Sequence, residues 1–121
     1  MVLSMGSIGI GFYSADLEAV CALLERELGI VFELRDSYYK GEYCAYPPAK
    51  ERFKERQASS EYLELRKNID FVDLPEQHNL QWPGIPDCKV VLLIEHSVRE
   101  SHFQDLSNKL HAQLLTANDL R

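Results

Sequence analysis

The sequence predicts an α+β domain: a single mixed β-sheet of about five strands, in the order β-α-β-β-β-β-α, with two helices on one face. Three observations predict it. Apolar residues alternate with polar or small ones through SIGIGFY, VFELR, EYCAY and EYLELR, the period of a half-buried strand. They recur at helical spacing from Leu17 to Leu28 and from Phe103 to Leu114. CKVVLLIE, residues 88–95, is apolar on both faces, as a central strand should be. A chain of 121 residues, 45% hydrophobic and 26% charged, is one globular domain able to fold on its own core.

In the first strand Ile8, Ile10 and Phe12 form a bulky face, and Gly9 and Gly11 an almost bare one. A dinucleotide fingerprint carries its glycines in the turn after a strand; these lie inside one, so no phosphate site is expected. Ser14 is the expected helix N-cap, with Asp16 and Glu18 in the first turn where the helix dipole favours acids. Leu17, Val20, Cys21, Leu24 and Leu28 give helix 15–28 its apolar stripe, and Gly29 its left-handed cap. Phe32 and Leu34 then alternate with Glu33 and Arg35, completing a βαβ unit expected to be right-handed with parallel strands. Lys40-Gly41 marks a tight turn into EYCAY, and Pro47-Pro48 ends that strand.

Residues 49–60, AKERFKERQASS, fit a short solvated helix and a loop equally well. Leu63, Leu65, Ile69 and Phe71 alternate against Tyr62, Glu64, Arg66, Asn68 and Asp70, with Lys67 interrupting the apolar side. The stretch 72–87 holds Pro75, Pro83, Pro86 and Gly84 and reads as a long crossing loop pinned by Trp82. Ser97 and Glu100 fit a capping box for the last helix, whose stripe is Phe103, Leu106, Leu110 and Leu114.

Composition excludes several function classes. The net charge is -6, acidic before residue 49, basic across 49–60 and acidic again to residue 87. Such a surface repels nucleic acid and attracts a basic partner. No apolar run is long enough to span a bilayer, and the first residues lack the basic and apolar regions of a signal peptide, so a cytoplasmic protein is expected. Cys21, Cys44 and Cys88 are odd in number and widely spaced, the pattern of buried free thiols. His78, His96, His102 and His111 fall into no ligand spacing, and no nucleophile motif or phosphate loop occurs. No catalytic, cofactor or metal residue is expected, and the chain reads as a binding protein.

The open sheet face is written in tyrosine and charge: Glu33, Arg35, Tyr62, Glu64 and Arg66, with Tyr38, Tyr39, Tyr43 and Tyr46 around the hairpin. Tyrosine is an interface residue and equally a good strand former. The run GIGFYSADLEAVCALLERELGIVFELRDSYYKGEYCAY, the ELRKNID strand and the acidic, proline-punctuated loop before KVVLLIE together resemble a family of small bacterial immunity proteins. That family is encoded beside polymorphic toxins, including those of contact-dependent growth inhibition systems. The pattern that carries the likeness is FYS-x-DL…LE-x-x-LGI-x-FE-x-RDS-x-Y-x-GEY. The resemblance implies a cytoplasmic antitoxin without catalysis, a monomer bound one-to-one to a cognate toxin domain, itself a basic nuclease such as a tRNase. It places the toxin-binding surface at Glu33, Asp36, Tyr38, Tyr39, Glu42, Tyr43, Glu64, Asp70, Asp73 and Glu76. The element order also suits a small ligand-binding regulatory domain with a ferredoxin-like core, or a subunit that dimerises through its open sheet face.

Overall fold

A computed structural model describes residues 8–48, 61–72, 79–97 and 99–120. The insert 49–60, read above as helix or loop, lies outside the described residues, as do Asp73 and Glu76. The elements are β1 (Ile8–Phe12), α1 (Leu17–Leu28), β2 (Glu33–Ser37), β3 (Gly41–Tyr46), β4 (Tyr62–Lys67), β5 (Val90–Glu95), α2 (Glu100–Lys109) and β6 (Gln113–Leu115). They form one six-stranded sheet in the order β2-β3-β4-β5-β1-β6 with two helices, an α+β fold.

The sheet is antiparallel at every pairing, where a mixed sheet was expected. The βαβ reading survives in altered form. β1 and β2 run in the same direction but have β3, β4 and β5 between them. Likewise β5 and β6 run together with β1 between them. Two such split units make the connectivity of a ferredoxin-like core, widened here by two strands of a meander.

Both helices cover one face. Leu17, Val20 and Leu24 of α1 and Phe103 and Leu106 of α2 pack on Ile10, Phe12, Leu63, Leu65, Val90, Leu92 and Ile94. Each such fully buried side chain contributes about 1.5–3 kcal/mol of transfer free energy. The opposite face, expected to be open, is partly covered. Trp82, Ile85 and Cys88 from the 79–89 segment close over Val91 and Leu115, with Leu93 and Leu120 at the margin. Trp82 is thus the buried anchor its loop calls for.

Local chemistry sets the boundaries. Asp16, not Ser14, caps α1: its Oδ1 accepts from Ala19 N at 3.1 Å, while Ser14 Oγ accepts from Asp16 N. Gly29 at φ 67° ends the helix, its N–H donating to Glu25 O at 2.9 Å. Gly41, also at φ 67°, closes the hairpin with the Phe71 ring pressed against it, where a Cβ would come within 2.6 Å. The last helix is shorter than its leucine spacing suggests. It stops at Lys109, His111 takes a positive φ of 54°, and the chain reverses into β6. Leu114 therefore reaches the core from a strand, and a sixth strand exists that the periodicity does not announce.

The capping box is not formed either. Arg99 occupies the N-cap of α2 without a side-chain cap bond. Ser97 Oγ instead accepts from Arg99 N at 3.0 Å and donates to Glu61 Oε2 at 2.7 Å. Arg99 Nε donates to the same oxygen at 3.0 Å, so one carboxylate ties the start of β4 to the entry of α2. Burial pushes the Glu61 carboxyl up, but the hydrogen bonds from Arg99 and Ser97 outweigh it and hold the group below its ordinary 4.5. A depressed carboxyl adds stability above its unfolded value and loses it as pH falls through the folded one. Glu61→Gln should therefore lower stability at neutral pH and flatten the acid limb below about pH 4.5. Urea midpoints at pH 7 and pH 3.5 check this; an equal gap between variant and native protein at both would overturn it.

Candidate binding surface

The hairpin of β2 and β3 hangs at one end of the sheet, with β2 as its edge strand. Strand alternation splits its side chains between the faces. Glu33 and Arg35 of β2, Tyr43 and Ala45 of β3, and Tyr62, Glu64 and Arg66 of β4 share the face opposite the helices. Leu34 and Asp36 of β2 and Glu42, Cys44 and Tyr46 of β3 share the helix side. The ten residues implied as a toxin-binding surface are thus not one patch.

On the first of these faces the polar groups are largely spent on one another. Glu64 is only 5% exposed. Its Oε1 accepts from Tyr62 Oη at 2.7 Å and from Lys40 Nζ at 3.0 Å. Arg66 Nε lies 3.7 Å from the other carboxylate oxygen, an ion pair too long to be a hydrogen bond. The Arg66 guanidinium stacks 5.2 Å from the Trp82 ring centre, and its burial lowers its pKa. Lys40 Nζ sits 4.6 Å over the Tyr43 ring. Arg35 is held by Glu33, Nη2 to Oε1 at 2.6 Å, and by Tyr43, and both hydrogen bonds raise its pKa. Tyr43 and Glu64 are therefore buried structural groups. Of the implied toxin-binding residues these two have donors of their own chain closed around them.

The other implied residues stand elsewhere. Tyr38 and Tyr39 form the hairpin tip and are 83% and 58% exposed. Asp36 and Glu42 are exposed and directly opposite each other on the helix side. Asp70 follows β4, its Oδ1 accepting from Val72 N at 2.9 Å. Four exposed large apolar or aromatic residues gather at β2 and its two ends: Val31 at 68% and Leu34 at 58%, with the two tip tyrosines. Single exposed apolar residues are ordinary; four of them fall along this one edge strand and its two ends.

Between α1 and the hairpin the same side opens a cleft of about 250 Å³, lined by Glu18, Cys21, Ala22, Glu25, Phe32, Leu34 and Cys44. Glu25 Oε2 accepts from Phe32 N at 2.9 Å, fixing the chain where it leaves the helix. Burial pushes both the Cys21 and Cys44 thiols up, so neither is a nucleophile at neutral pH. Sequence reasoning missed this cleft, because periodicity assigns residues to a helix or strand face and not the spacing between a helix and the strand beside it. Among the described residues no group of three or more His, Cys, Asp or Glu could hold a metal ion, and no helix is long and apolar enough to cross a membrane. No family model, curated protein or solved structure matches the chain.

Proposed function

We propose that the protein is an immunity protein, a cytoplasmic antitoxin that binds and neutralises the C-terminal domain of a cognate toxin, a basic nuclease. The observation that carries this reading is the exposed row Val31, Leu34, Tyr38 and Tyr39 beside the carboxylates Asp36 and Glu42. Aromatic and apolar anchors inside an acidic rim suit a basic protein partner. The FYS-x-DL to GEY pattern, which resembles the immunity family, specifies Asp36, Tyr39 and Glu42 of this surface and leaves Val31, Leu34 and Tyr38 open.

The test is co-expression with the product of the adjacent gene, followed by a growth rescue. Stoichiometric retention of a basic fragment and silencing of its toxicity are expected. Replacing both Tyr38 and Tyr39 with Ser should weaken that complex at least tenfold and leave the melting temperature within a degree or two. No retention and normal growth of cells expressing the neighbour would end the reading. The split βαβ connectivity favours one other reading, a small ligand-binding regulatory domain. A metabolite that raises the melting temperature would select it.

A further inference from the structure

We propose that the groove between α1 and the β2–β3 hairpin is a receptor for a long cationic side chain, arginine or lysine, presented by a basic protein partner. This rests on the immunity reading and locates its anchor point.

Three features on the helix side converge. The cleft is lined mainly by apolar side chains, among them Phe32, Cys44 and Ala22, and about 250 Å³ suits one long side chain rather than a whole small ligand. Leu34 and the neighbouring Val31 stay largely exposed at its lip. Two residues further along the strands, Asp36 and Glu42 face each other directly across the ladder. Like charges in that position oppose strand pairing. Among the described residues neither has an ion pair.

The charged residues that line the cleft, Glu18 and Glu25, have one sign. Among the described residues, Glu18, Glu25 and Glu42 all bear on the Cys44 thiol, and Glu18 and Glu25 also on Cys21. An aliphatic stem laid over Leu34 and Cys44 places its charged head among Glu18, Asp36 and Glu42. Arginine and lysine bury their stems in this way while the head stays polar. The head would also relieve the repulsion across the Asp36–Glu42 pair. A neutral side chain could fill the floor but would leave the carboxylates unanswered.

The probe is n-butylguanidinium titrated into the ¹⁵N-labelled protein, with n-butylurea as its neutral isostere. Amide shifts should cluster at Cys21, Ala22, Glu25, Leu34 and Cys44, with butylurea at least fivefold weaker. Asp36→Asn with Glu42→Gln should weaken butylguanidinium at least threefold while raising the urea midpoint, because the like-charge pair is gone. Shifts spread equally to Glu100 and Asp105 of α2, equal binding of butylurea, or an unchanged double variant would each overturn the proposal. The same variant, taken into the adjacent-gene pull-down, separates the two claims. Full retention by the variant removes the groove and leaves the immunity reading. Groove binding with no partner retained removes that reading and leaves the groove.

Discussion

Asn68→Ala is expected to cost about 3 kcal/mol. Asn68 is 1% exposed and sits one residue past β4. Its Oδ1 accepts from Trp82 N at 2.7 Å. Its Nδ2 faces three carbonyl oxygens, those of Trp82 and Ile85 at 3.2 Å and of Cys88 at 3.0 Å. An amide has two protons, so at least one of these bonds is shared. One side chain thereby satisfies the turns that fold the 79–89 segment back over the sheet. Alanine leaves a buried N–H and several buried carbonyls without it, each worth roughly 1–3 kcal/mol when orphaned.

The sole tryptophan lies inside this segment, so its fluorescence reports the segment while circular dichroism reports the whole fold. In the variant the fluorescence transition should come at lower urea than the dichroism transition; a loss under 0.5 kcal/mol with coincident curves would refute the role. Asn68→Asp sharpens the point. Its second oxygen would face three carbonyls, so the charged form is repelled and the folded-state pKa rises above the ordinary ~3.9. A raised carboxyl favours folding only when protonated. The Asp variant should therefore regain stability as pH falls toward the unfolded value, the reverse of Glu61.

The faces of the strands were legible because alternation has a period of two and a slip inverts every side chain. Leu63 and Leu65 are buried on the helix side, and Tyr62, Glu64 and Arg66 share the other, as their spacing requires. Strand order was not legible: periodicity assigns a residue to a face, not a strand to a neighbour. So β1 and β2, joined through α1, end up with three strands between them. Leu114 shows a different limit. It follows Leu110 by four residues and so continues a helical stripe, yet the positive φ at His111 turns the chain and delivers the same leucine from β6. Glu64 and Tyr43 are a third case. A charged or phenolic side chain on a half-polar face looks exposed until Lys40, folded back from the hairpin turn, covers both.

Gly11→Ala should lose about 2 kcal/mol, and a second substitution should restore much of it. The added Cβ would lie 2.3 Å from Cys88 Sγ and 3.0 Å from Cys88 Cβ, with Leu115 Cδ1 at 3.5 Å. Cys88 cannot simply retreat: it is fully buried, packed in the cluster of Val91 and Leu115, and its backbone is gripped by Asn68. Cys88→Ala alone removes a sulfur and leaves a small void, costing on the order of 1 kcal/mol. In the double variant the new methyl occupies that void, so the two losses should fall short of their sum by at least 1 kcal/mol. Gly9 supplies the control. There the nearest atom to an added Cβ is the backbone oxygen of Leu92 at 2.9 Å, and trimming a neighbouring side chain cannot move it. Gly9→Ala should therefore stay destabilised when combined with Cys88→Ala. Additive losses at Gly11, or rescue at Gly9, would show that the bare face of β1 is not shaped by the thiol above it. The alternating glycines then follow from packing, since a strand must lie flat where the 79–89 segment and the Leu115 side chain close over it.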